Sequence, residues 1–312
     1  MASAAAVRLH KALVKNASSG TNYLYKYTRE ALASPTEGVA WSYAELNDRV
    51  HALVHGLVKK GFGPGDSIGS MLPNCADNVL LQLSSAVLGL RVVTVKDAAL
   101  LPEIGCGGWV HMGGDIGGVG ATLTMAHGAS KGQGLLRRVM EEGATRDDGR
   151  NFGDTGIPAT ELAVDEFAQY GGVDAARTQL GALVDLGDSV CSHLSLTEDD
   201  VVCVPVNMNH TMGFGFGVVP AILAGASVVL PSTSTSVETT IAAMQNQACT
   251  ILIADSHITK VLVADDVSTA NAPSLRGGLV KVGSGETISS NGPGAVTLFD
   301  GAVTLSAVGT PR

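Results

Sequence analysis

Apolar positions change between helical and strand-like spacing along the first part of the chain. From Tyr43 the run YAELNDRVHALVHGLVKKG predicts an amphipathic helix that ends near Gly61. Its apolar face is predicted to contain Leu46, Val50, Leu53, Val54, Leu57 and Val58. The turn GFGPGD, the strand SIGSMLP, a second helix over 74–89 and the strand RVVTV follow. This order of strand, helix and strand is typical of a parallel sheet.

The same alternation returns after Asp200. The runs DVVCVPV, SVVLP and CTILIAD predict three strands. Each strand is followed by a predicted helix, over 213–223, 237–247 and 257–263 respectively. Two further short strands are predicted over 279–282 and 295–299, whereas the glycine-rich region 105–150 predicts one weak strand over 119–125 and one helix near Leu135. The chain is therefore predicted to be a doubly wound α/β protein with right-handed crossovers.

Composition restricts the function. The net charge of −9 and the pI near 5.3 argue against a protein that mainly binds nucleic-acid phosphates. Five scattered cysteines without a C-x-x-C pair predict neither a disulfide framework nor a zinc ribbon. Every long apolar run is broken by Gly, Pro or a charge, so no transmembrane segment is expected.

The N-terminal segment is rich in Ala, Ser and basic residues and contains no acidic residue before Glu30. This balance predicts an uncleaved mitochondrial targeting segment, and the alternative is a basic arm that docks on a partner. The run PTEG at 35–38 ends the segment. We therefore predict a basic arm over 1–38 and an α/β domain over 39–312.

Four stretches together resemble one known family: the run 41–95 that begins WSYAELNDRV, LTEDDVVCVPVNMNHTMGFGFGVVPAILAGASVVL, ACTILIADSHITKVL and SLRGGLVKVGSGE. They cover most of residues 41–312 and are similar to adenylate-forming (AMP-binding) acyl-CoA synthetases. The resemblance implies the mostly parallel sheets of that family's large N-terminal domain, without its small C-terminal domain. It also implies that His210 and Gly213, in P-x-x-x-x-H-x-x-G, line an acyl pocket. The alternative for His210 is a hydrogen-bonded core histidine.

The family's phosphate-binding loop is only partly matched, in NFGDTGIPATEL at 151–162. Gly153, Thr155, Gly156 and Pro158 keep its pattern, but Asp154 replaces a hydroxyl and Ala159 stands at the position of the family's lysine. A carboxylate ~4 Å from a phosphate oxygen is repelled by roughly 4 kcal/mol at an effective dielectric constant near 20.

The family's Y-G-x-T-E motif is also altered, because Leu305 follows Thr304 where the glutamate that binds magnesium belongs. These departures, and the unmatched C-terminal domain, predict a catalytically inactive relative that is not an enzyme. No cofactor and no metal ion are expected.

Other candidate sites are weaker. His51 and His55 have metal-ligand spacing but lack a third ligand, and Cys191, Ser192 and His193 are too close in sequence to face each other as nucleophile and base. The glycines over 113–120 do not form a dinucleotide-binding G-x-G-x-x-G. The acidic residues interpreted as helix-end or surface groups are Asp165, Glu166, Asp199 and Asp200.

The sequence thus predicts a structural accessory subunit of a large mitochondrial complex on the matrix side, of respiratory or ATP-synthase type rather than ribosomal. Its partners would be other protein subunits, without direct nucleic acid, and membrane association would occur only through the complex. Two alternatives are an active or split adenylate-forming acyl-CoA ligase and a non-catalytic sensor of acyl chains, CoA or nucleotide.

Overall fold

The described strands form two separate sheets, one in each of two compact units. The structure is a computed structural model that describes residues 4–18, 29–94, 107–111, 123–126, 135–144, 166–170, 177–234, 236–255, 258, 272–282 and 286–288. Contacts divide the chain into two units. Unit 1 contains Met1–Thr21, Ala44–Pro73 and Asp77–Ala182, and unit 2 contains Asn22–Tyr43, Asn74–Ala76 and Leu183–Arg312.

Unit 1 contains a sheet whose described strands lie in the order β6-β5-β3-β4-β7-β8. The strands are β3 (Ser67–Ser70), β4 (Arg91–Thr94), β5 (Gly108–His111), β6 (Leu123–Ala126), β7 (Glu166–Tyr170) and β8 (Arg177–Gln179). All neighbours pair in parallel except β7 and β8. The sheet is therefore mostly parallel, as the alternation of strands and helices predicts.

Unit 2 contains the second sheet, with the described strands in the order β13-β12-β11-β9-β10-β1-β2. These are β1 (Glu30–Ser34), β2 (Val39–Ser42), β9 (Val201–Cys203), β10 (Ser227–Val229), β11 (Ile251–Asp255), β12 (Gly277–Val282) and β13 (Glu286–Ile288). The four inner pairs are parallel, and an antiparallel pair closes each end. The predicted fold class, α/β with mostly parallel sheets, is confirmed.

The helices have apolar faces at helical spacing. They are α1 (Ala4–Ser18), α2 (Tyr43–Lys59), α3 (Ala76–Leu88), α4 (Leu135–Ala144), α5 (Leu180–Leu194), α6 and α7 (Val237–Asn246). α6 consists of Thr211–Gly213, a π-helical turn over Phe214–Val218 and Val219–Ala224. Among the described helices, none combines the length and apolar character that a membrane crossing requires.

Most predicted elements within the described residues are present, with ends that differ by a few residues. The prediction that Val58 belongs to the buried apolar face of α2 is wrong, because its side chain is 43% exposed. α1 and β1 both form within 1–38, so part of the predicted arm pairs with the sheet, and its role as a targeting segment stays a prediction. The strand predicted over 295–299 and the helix over 257–263, apart from Ile258, lie outside the described residues.

Candidate active site

The order of strands in unit 2 creates a switch point at β9 and β11. The chain leaves β9 through α6 toward β10 on one side, whereas β12, the strand after β11, lies on the other side. In open α/β sheets, ligands bind in the crevice outside the carboxyl ends of two such strands. The candidate site is therefore the crevice beyond Cys203 and Asp255.

The register brings the start of α6 beside the end of β11. Ile251 and Leu252 pair with Val202 and Cys203, and β11 then continues to Asp255 beyond the last paired residue of β9. The first turn of α6, Thr211–Gly213, lies against β11. The residues between β9 and α6 thus enter the crevice side by side with the last residues of β11.

His210 is positioned by the helix that it begins. Its backbone is extended, with φ −144° and ψ 149°, and Nδ1 accepts the backbone N–H of Met212 at 3.1 Å. This is the geometry of an N-cap residue, which satisfies a donor of the first helical turn. Because Nδ1 accepts this bond, the neutral imidazole carries its proton on Nε2 and has a donor there.

The side chain of His210 is exposed. The interpretation of His210 as a core histidine is therefore wrong, because its ring satisfies one backbone donor and otherwise lies at the surface of unit 2.

Gly213 holds the residues before His210 close to the helix. A Cβ atom at this position would overlap the backbone carbonyl oxygen of Asn207, so the two backbones are in direct contact. The Asn207 side chain in turn accepts the backbone N–H of Asn209 through Oδ1, at 2.8 Å. The turn from Asn207 to His210 is thereby fixed on the start of α6.

Sequence reasoning missed two features of this site. The first is the π-helical turn, in which Val219 donates its backbone N–H to the carbonyl of Phe214. The alternating F-G-F-G of residues 214–217 was its only visible signal. The second is Asp255, whose Oδ1 accepts the backbone N–H of Ile258 at 2.9 Å. An acid directly after an apolar strand could have indicated it.

Other sequence candidates lie elsewhere. Within the part of the chain that the structure describes, no three His, Cys, Asp or Glu side chains come together in a way that could hold a metal ion. His51 and His55 are buried on α2 in unit 1. Cys191 lies on α5, where burial, and secondarily Asp188, raise the pKa of its thiol to about 11, as expected for an unreactive cysteine.

Asp200 needs correction, because we interpreted it as a helix-end or surface acid. It is buried, and both of its carboxylate oxygens accept hydrogen bonds from Arg276. The phosphate-loop residues Gly153, Asp154, Thr155, Gly156, Pro158 and Ala159 lie outside the described residues, as do Leu305, Asp165 and the glycines over 113–120.

Comparisons with known proteins agree with the fold. A family model described as AMP-binding enzyme matches residues 24–105. The acyl-CoA ligase sidI of Beauveria bassiana is 23% identical over 246 residues, which are 72% of this chain and 43% of that protein. The human medium-chain acyl-CoA ligase ACSF2, mitochondrial, is 34% identical over 85 residues, or 25% of this chain and 14% of that protein.

Among solved structures, ATP-bound MatB from Rhodopseudomonas palustris superposes with a TM-score of 0.67 at 17% identity. The match covers 86% of this chain and 54% of MatB. The matches to sidI and MatB cover most of this chain but only about half of each of those proteins.

These findings contradict one expectation and leave others untested. The matching family is one of enzymes and the relatives are named acyl-CoA ligases, so the prediction that the chain is not an enzyme is wrong. Membership of a larger complex, its protein partners and the sensor alternative stay predictions.

Proposed function

We propose that the chain, which belongs to the adenylate-forming acyl-CoA synthetase family, is an acyl-CoA ligase. In this proposal the crevice beyond β9 and β11 binds a carboxylic acid that is activated with ATP and then transferred to CoA. The observation that carries the proposal is His210, which caps α6 at the switch point of the unit 2 sheet.

The chemistry requires a carboxylate to be held while one of its oxygens attacks the α-phosphorus of ATP and pyrophosphate leaves. His210 supports this step as a hydrogen-bond donor through Nε2, since its Nδ1 is occupied by Met212. Gly213 supports it indirectly, because the contact with Asn207 fixes the turn that carries the imidazole.

A medium-chain fatty acid is our choice of substrate, and the mitochondrion is our choice of location. Both are supported by the name of the relative ACSF2, a mitochondrial medium-chain acyl-CoA ligase, and the location also by the basic segment at the start of the chain. Subcellular fractionation that recovered the native protein outside mitochondria would overturn the second choice.

Pyrophosphate release tests the activity. The full chain is incubated with Mg-ATP and separate short-, medium- and long-chain fatty acids, with and without CoA. Because Asp154 and Ala159 weaken the match to the phosphate loop, ATP should be supplied above the usual KM range of about 1 μM–1 mM. Release that depends on a medium-chain acid is expected, and release no faster than without acid would overturn the proposal.

Two variants separate the roles of His210. Asn keeps a side-chain oxygen that can cap the helix but lacks the imidazole Nε2–H, so His210→Asn should preserve folding and lower kcat/KM by about 10- to 100-fold. His210→Ala should lower kcat/KM at least as much and also reduce stability. His193→Asn, on α5, is the matched control and should change neither. Unchanged kcat/KM in both His210 variants would remove His210 from the site.

A further inference from the structure

A pair of histidines joins α1 to α2 in unit 1. Nε2 of His10 lies 2.9 Å from Nε2 of His51, and the two rings meet edge to face with their centres 5.2 Å apart. In a hydrogen bond between two imidazoles, one nitrogen donates and the other accepts. The contact therefore accommodates one proton between the two facing nitrogens, but not two.

The side chains buried near the pair are apolar on α1 and polar on α2. On α1, Leu9, Leu13 and Ala17 are buried at four-residue spacing, so the helix docks through a narrow apolar stripe. On α2, Asn47 and His55 lie one helical turn on either side of His51, and all three side chains are buried. His51 is fully buried, and His10 contacts it from the edge of the α1 stripe.

We propose that His10 and His51 form a pH-sensitive latch, which holds α1 against α2 at neutral pH and releases the helix when both imidazoles become protonated. The latch is a property of unit 1 and does not depend on the proposed ligase activity.

The direction of the pH effect follows from where the proton binds. A second proton would place two cations within hydrogen-bonding distance in a buried contact. Burial also lowers the pKa of His10 below its ordinary value of 6.5. The docked helix therefore binds fewer protons than the released helix, so docking is complete above pH 6.5 and weakens as the pH falls toward the docked pKa. Each proton taken up on release changes the docking equilibrium by up to about tenfold per pH unit.

Nearby charges do not remove this effect. α1 contains Arg8, Lys11 and Lys15 and no acidic residue, so it carries no carboxylate that could neutralise a charged His10. The charged groups and further histidines on the other described helices around the pair are Glu45, Asp48, Arg49, His55 and Lys59 on α2, with Lys60 directly after it, Asp77 on α3, and Arg137, Arg138, Glu141 and Glu142 on α4. Glu45 and Asp48 are exposed, whereas the contact between the two histidines is not.

Hydrogen exchange of the full chain measures the latch directly. Protection factors for the peptide over Ala4–Ser18, corrected for intrinsic exchange, are compared from pH 8 to pH 5 with those of the strand Ile251–Asp255. We expect α1 protection to fall by up to about tenfold per pH unit below 6.5 while the reference strand keeps its protection.

Substitutions assign the effect to the pair. Gln can donate and accept hydrogen bonds but does not titrate, so His10→Gln and His51→Gln should each flatten the pH dependence. His55→Gln, at a buried position on the same helix, should leave the dependence intact. Leu13→Ala should lower α1 protection at every pH without changing its slope, since it weakens docking alone.

Three outcomes would overturn the latch: pH-independent protection of α1 in the native chain, a slope that survives in His10→Gln, or a slope that disappears only in His55→Gln. If His51→Gln does not fold, His10→Gln and the native chain are sufficient, because His10 is only partly buried. An NMR titration of the imidazoles adds an independent measurement, in which a His10 pKa no lower than the ordinary value would also overturn the latch.

Discussion

Tyr43 shows how one residue can connect distant parts of the chain. It begins α2, its side chain is fully buried, and its hydroxyl donates to the carbonyl of Ala226 at 2.6 Å. The Arg29 guanidinium lies 5.5 Å from the ring centre and also hydrogen-bonds to the carbonyl of Gly225. Burial raises the pKa of the Tyr43 hydroxyl above its ordinary value, more than Arg29 lowers it, so the group remains a donor.

Removing this hydroxyl should destabilise the protein. Tyr43→Phe leaves the buried carbonyl of Ala226 without its partner, and we expect the free energy of unfolding to fall by about 1–3 kcal/mol. Urea denaturation followed by circular dichroism measures the change. Val58→Thr, at an exposed position on the same helix, is the control and should stay within about 0.5 kcal/mol of the native value. Equal effects of the two substitutions would contradict this role of the hydroxyl.

At the scale of elements, α2 and α4 meet through two glycines. A Cβ atom at Gly56 would overlap the carbonyl of Val139, and one at Gly143 would overlap the carbonyl of Ala52. The backbones of the two helices are therefore in contact along this crossing. At its edge, Lys60 pairs with the Glu142 carboxylate at 2.6 Å. Exposed ion pairs contribute little, so the close approach at the glycines determines the packing.

This contact reverses the usual effect of replacing a helical glycine. Ala is normally favoured over Gly within a helix by about 1 kcal/mol, yet Gly143→Ala should destabilise unit 1 by about 1–3 kcal/mol because the helices must move apart. Gly63→Ala is the control, since nothing lies within 4 Å of the position of its Cβ atom. Thermal unfolding of both variants tests the idea. A raised Tm for Gly143→Ala would show that the helices are not this close.

For the whole molecule, periodicity predicted β9, β10, β11 and part of β12 in the unit 2 sheet, but not β1, β2 or β13. β9, β10 and β11 each form an apolar run between helices of ordinary length, and such runs are visible locally. β1 was missed because EALAS is short and follows a basic segment. Its pairing with β10, where Leu32 lies opposite Val228, joins residues far apart in sequence, which no local pattern contains.

The candidate site was predicted in outline only. The spacing of Pro205, His210 and Gly213 indicated the position through a resemblance. The exposure of His210 and the bond from Met212 depend on where α6 begins, and that is set by the contact of Gly213 with Asn207. Such close contacts between backbones depend on packing, so the sequence pattern could not distinguish a core histidine from a capping one.

Asp200 illustrates the same limit for charge, because its partners are spread over unit 2. Besides Arg276, at 2.6 and 2.7 Å, it accepts the backbone N–H of Thr197 and the hydroxyl of Thr250. Arg276 also donates to the carbonyl of Leu194. Burial alone would raise the pKa of Asp200, but the hydrogen bonds, first of all from Arg276, outweigh burial and hold it below its ordinary value of 3.8.

This network should make the stability of the native protein depend on pH. Because the pKa of Asp200 is lower in the folded state, its contribution is complete above the ordinary carboxyl value and disappears as the pH falls through the folded value. At pH 7, Asp200→Asn should lower the free energy of unfolding by about 2–3 kcal/mol. This is less than the cost of breaking a fully buried ion pair, because the Arg276 side chain is partly exposed. Urea titrations at pH 7 and pH 3 measure whether this difference shrinks in acid. Asp199→Asn, at the exposed neighbouring position, should change little at either pH. A difference of the same size at both pH values would mean that Asp200 acts through packing rather than through its charge.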